Sequence, residues 1–165
     1  MEHESAAESW PLFFALQESA LGEAMRSSMV LYPIVAILHI MGFAVLVGSI
    51  ISLDLRLLGL GRGIPIRPMA RLVLPLARTA FAVALTTGFL LFTADAAHVV
   101  GNPAFQAKML LLLTALVTVV AAHAGPWRSL ASWGDEVPGG AKVTAMLSLG
   151  LWLSVVLCGR LIAYF

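Results

Sequence analysis

Three histidines, His39, His98 and His123, lie in or beside apolar stretches, with Met109 and the single cysteine, Cys158, as further soft donors. An imidazole inside a membrane helix can ligate haem or copper, or hydrogen-bond a neighbouring helix. His39 is the only titratable side chain in the uncharged run from Ile34 to Leu53. It shares a helical face with Gly42, Leu46, Ser49 and Arg56, and a glycine beside an inward histidine leaves room for a macrocycle. Haem b near His39 is therefore one expectation. Copper, held by His39, His98, Met109 and Cys158, is another, because thioether and thiolate donors favour Cu(I). A histidine hydrogen-bonded to a neighbouring helix is the plainer alternative.

Depth argues against a bis-histidine site. With the first two spans matched at one end, His39 lies level with Gly88, and His98 falls about ten residues, some 15 Å, further out. His123 misses by a similar amount in the opposite direction. A haem would take His39 alone, or His39 with Met109.

The remaining intramembrane charges suggest ion pairs. Asp54 near the end of the first span is expected to pair with Arg71 or Arg78 near the start of the second. Asp95 is expected to pair with Lys108 or Arg160 at the other end of the bundle. His123 reads as a hydrated or capping histidine, and the arginines beside it as a candidate site for an anionic lipid. The middle layer is almost purely apolar, which argues against an ion or proton channel. No nucleophile with a spaced base, phosphate loop or metalloprotease helix is present, so catalysis by this chain alone is not expected.

The elements that must hold these residues follow from composition. The chain has 165 residues, 60% hydrophobic and 12% charged, where a soluble domain carries about 25% charged. Net charge is +1, which gives no argument for nucleic acid, and one cysteine excludes an internal disulfide. The acidic start, MEHESAAESW, lacks the basic and apolar regions of a signal peptide. Residues 1–28 read as an acidic leader and an amphipathic interfacial helix, with Ser9 as N-cap, Pro11 in its first turn and Trp10 at headgroup level. Residues 29–165 read as an all-α, four-helix transmembrane up-down bundle, with spans at about 31–58, 69–97, 103–124 and 141–164.

Arg56, Arg62, Arg67, Arg71, Arg128 and Lys142 gather at one end of the spans, and only Arg26, Lys108 and Arg160 at the other. The positive-inside rule puts the first group in the cytoplasm and both termini in the periplasm. Lipid is thus the first partner, with other membrane or periplasmic redox subunits as further candidates.

Leu31-Tyr32-Pro33, Leu38-His39-Ile40-Met41-Gly42, Leu53-Asp54-Leu55-Arg56-Leu57-Leu58-Gly59 and Asn102-Pro103-Ala104-Phe105-Gln106-Ala107-Lys108 together resemble a bacterial family of small four-span membrane proteins of unknown function. The resemblance implies an inner-membrane location and a four-helix arrangement, and no activity. A non-catalytic membrane subunit or accessory protein is the leading expectation, and a haem b or copper redox protein centred on His39 the alternative.

Overall fold

The computed structural model describes residues 11–125, 127–128, 133 and 137–164; the expectations for Ser9 and Trp10 lie outside them. Described residues form helices α1 (Pro11–Gln17), α2 (Ala20–Ser27), α3 (Leu31–Leu58), α4 (Ile66–Ala94), α5 (Ala96–Gly101), α6 (Pro103–Ala124) and α7 (Gly139–Leu161), then a 3-10 turn at Ile162–Tyr164. The fold is all-α. Among the described residues, four helices are long and apolar enough to cross a membrane: Leu31–Leu58, Ile66–Ala94, Pro103–Ala124 and Gly139–Tyr164. Bulky apolar side chains such as Leu72 and Val120 point outward, as in a multi-pass membrane protein whose surroundings are lipid.

Local chemistry sets the helix ends. Gly59 takes a left-handed φ of 109°, and the Gly59 and Leu60 amides return to the carbonyls of Arg56 and Leu55. This is the Schellman arrangement, which a glycine without Cβ permits. Arg56 then fastens the following loop, donating from Nε to the Ile64 carbonyl (2.6 Å) and from Nη2 to that of Arg62 (3.1 Å). Asn102 caps α6 by accepting from the Ala104 and Phe105 amides at 2.9 and 3.2 Å, with Pro103 in the first turn. Its Nδ2 also donates to the Ile162 carbonyl (3.1 Å), tying the end of the chain to the start of α6.

The second long helix differs from the expected 69–97. It runs Ile66–Ala94, breaks at Asp95, and α5 follows. A polar contact supports the break: the buried Gln17 side chain accepts the Ala97 amide at 3.0 Å, giving the new helix end a partner.

The N-terminal segment is two short helices rather than one. Ser19 separates them and caps α2, accepting from the Gly22 amide at 3.3 Å. Met25 of α2 is buried with Val35 and Ala94. Arg26 donates to the Gln17 carbonyl and, at 3.4 Å, to that of Ala94, and pairs with Glu18 at 3.2 Å. The apolar side of this amphipathic helix thus packs on the far end of α4.

The long helices assemble as two hairpins. The most extensive packing is α3 on α4, then α6 on α7, and the hairpins join along α3 and α7. Gly42 makes the first contact close: a Cβ there would stand 3.2 Å from the Ala84 nitrogen and 3.3 Å from the Ala80 oxygen. Helices α4 and α6 are not a closely packed pair. Near α5 they are pinned by Phe92 stacked on Phe105, centroids 5.3 Å apart. Towards the other end a cleft lies between them.

Candidate functional site

His39 is held on α4. Its Nδ1 lies 2.9 Å from the Ala84 carbonyl, which can only accept, so Nδ1 carries the proton. The Thr87 hydroxyl is 3.2 Å away, and Phe43 stacks on the ring. A Cβ at Gly88 would stand 2.9 Å from His39 Cε1, so the expected level match with Gly88 is the observed one. The space intended for a macrocycle is filled. Backbone of α4 occupies the gap at Gly42, and the imidazole itself occupies the gap at Gly88.

The other proposed donors stay apart. Exposed His98 lies on α5, 3.3 Å from Asp95, and Met109 is partly exposed on α6. His123 points its Nδ1 at the Val119 carbonyl (2.9 Å) and stacks on Trp127. Among the described residues, no three of His, Cys, Asp or Glu converge as a metal site.

The expected ion pairs are also replaced. Asp95 pairs with His98 instead of Lys108 or Arg160, because the break after α4 places both acid and histidine on one short turn. Lys108 packs against Gly159, within electrostatic reach of His39 and Cys158. Arg160 donates to the Tyr164 hydroxyl at 2.9 Å and lies over its ring.

Asp54 pairs with neither Arg71 nor Arg78 among the described residues. Register explains why. His39 opposes Ala84 to Gly88, so the antiparallel count brings Arg71 level with Asp54 and leaves Arg78 two turns, about 10 Å, deeper. Arg71 is level but exposed, while Asp54 is turned inward beside Ser148 of α7.

What Asp54 faces is the cleft. A cavity of about 260 Å³ is walled by Leu46, Ile50 and Leu53 of α3, Leu74 and Phe81 of α4, Leu116 and Val119 of α6, and Ala145 of α7. Polar side chains join this apolar lining, among them Asp54, Arg78, His123, Ser148 and Trp152. Two of them are left unsatisfied. Asp54, 7% exposed, has no hydrogen-bond partner at Oδ2, and Trp152, 1% exposed, has none at Nε1. A buried polar atom without a partner costs about 1–3 kcal/mol, so the residues around this cavity carry an uncompensated polar cost. A second cavity adjoins the first, sharing Arg78, Val119 and His123 and adding Arg128.

Asp54 was visible in the sequence as an intramembrane charge. Trp152 was not, because an indole amid leucines and valines reads as core. Only the placement of α7 reveals that Trp152 lines the cavity and that its buried N–H has no partner.

A family model described as a family of unknown function, DUF6644, matches residues 13–165, and the chain belongs to that family. No curated protein and no solved structure matches the chain.

Proposed function

We propose that this DUF6644 protein is a small bacterial inner-membrane protein, a non-catalytic subunit or accessory factor that holds a lipid-soluble ligand between α4 and α6. The observation that carries the reading is the apolar cavity of about 260 Å³ itself, whose lining residues include two, Asp54 and Trp152, with a buried polar atom left unsatisfied. A purely structural bundle would gain by closing that space and pairing those atoms. The cavity lies between α4 and α6, which pack less closely than the other neighbouring helices, so in this reading a ligand arrives from the bilayer. In this reading the arginine-rich end, with Arg62, Arg67 and Arg128, is cytoplasmic and both termini are periplasmic.

A haem b or copper centre at His39 draws less support, since the imidazole is already hydrogen-bonded and the glycine spaces beside it are filled. The test is extraction of the protein purified in mild detergent, followed by mass spectrometry. A lipophilic molecule near one per chain is expected in the unmodified protein. It should be depleted in Val119→Trp, which places an indole in the shared wall of the two cavities. Extracts that do not differ would overturn the reading.

A further inference from the structure

The second cavity, outward of the first, carries charge of a single sign. It measures about 580 Å³, is walled by Val119, Val120 and Ala124 of α6, and bears Arg78, His123 and Arg128. Among the described residues no carboxylate lines it, for Asp54 borders the inner cavity alone. Neither guanidinium has a hydrogen-bond or ion-pair partner among the described residues. The carbonyl end of α6 opposes an anion here, but weakly. A helix C-terminus carries about half a negative charge, against a full positive charge on each arginine. The balance favours an anion.

Depth says which kind. Arg78 stands twelve residues into α4, about 18 Å from Ile66. A guanidinium at that level in lipid is costly unless it reaches polar surroundings or gains a counterion. A helical Cβ leans towards the helix N-terminus, and α4 begins at the arginine-rich end. The Arg78 side chain therefore runs back along the cleft between α4 and α6 and borders both cavities. A phosphate in the outer cavity lies in the field of Arg78 and Arg128, and phosphate oxygens match the paired N–H donors of a guanidinium. Directly inward is an apolar chamber suited to an acyl chain, and the loosely packed side between α4 and α6 faces the bilayer. A zwitterionic headgroup would bring its own ammonium against the same arginines.

We infer that the cleft is a site for an anionic phospholipid from the leaflet at the arginine-rich end, with its phosphate in the outer cavity and an acyl chain in the inner one. The inference rests on the binding reading above and names the class of its ligand.

Isothermal titration calorimetry on delipidated full-length protein in mild detergent tests this with three probes: dioctanoyl phosphatidylglycerol, dioctanoyl phosphatidylcholine and inorganic phosphate. Phosphatidylglycerol should bind about tenfold more tightly than phosphatidylcholine. Arg78→Gln and Arg128→Gln should each weaken phosphatidylglycerol about fivefold. Arg71→Gln, which removes an exposed arginine from the same end but outside both cavities, should leave that affinity unchanged. Equal affinity for the two lipids, or equal losses in Arg71→Gln and Arg78→Gln, would overturn the inference. If Arg78→Gln does not fold by circular dichroism, Arg128→Gln, beyond the end of α6, carries the comparison. Inorganic phosphate bound as tightly as phosphatidylglycerol would overturn the lipid. A neutral lipophile near one per chain in the extracts, with no preference for phosphatidylglycerol, would overturn this inference and keep the binding reading. Binding of neither lipid, with extracts that do not differ, would overturn both.

Discussion

Asp54 and Arg78 border one cavity without pairing. Two turns of helix separate their levels, so the acid contributes a buried polar group without a cationic partner rather than a lock between helices. Replacing such a group by an apolar one of similar size is often stabilising. Asp54→Leu should therefore raise the melting temperature in detergent. In a double-mutant cycle with Arg78→Ala the coupling should stay below about 0.5 kcal/mol, as for independent sites. Coupling well above that would mean the two side chains meet in solution.

His39 and Gly88 fit one another as side chain and gap. Gly88→Ala would put a methyl 2.9 Å from His39 Cε1 and push the ring off the Ala84 carbonyl. Overpacking of this kind costs about 1–3 kcal/mol. Thermal unfolding in detergent should show that loss. Combining the change with His39→Ala should recover part of it, because the added methyl then has room. Additive losses would count against the contact.

The N-terminal helices depend on Gly22. A Cβ there would stand 2.2 Å from the Gln17 carbonyl oxygen and 2.8 Å from that of Thr93, both backbone atoms that cannot turn aside. Gly22→Ala should unseat α1 and α2 and expose them to protease, with the four long helices retained. Limited proteolysis read by mass spectrometry checks this. An unchanged digestion pattern would show that the docking tolerates the methyl.

Threading is tested by single cysteines in a Cys158→Ser background. An impermeant maleimide added to whole cells should label position 101 and spare position 61. The reverse pattern would invert the orientation proposed from the basic loops.

How much was legible from sequence depended on range. Hydropathy located the four long helices, and Gly59 and Asn102 marked helix ends through contacts made within a few residues. Counting along two antiparallel helices joined by a short loop was enough to set His39 beside Gly88. The break at Asp95 was missed because its support comes from Gln17, some eighty positions earlier. The cleft was missed for a related reason. Hydropathy says that four helices meet, but not which neighbours pack and which stand apart. Asp54 was noticed as a charge, yet its orientation towards Ser148 depends on how α7 lies against α3.

Trp152 also makes the protein its own optical reporter. Its indole is buried and 1% exposed, so it should emit at the blue edge of tryptophan fluorescence. A hydrogen bond newly made to Nε1 would move that emission to longer wavelength, and a conjugated ring alongside would quench it. Arrival of a molecule at the heart of the bundle can therefore be followed by colour and brightness, without a dye.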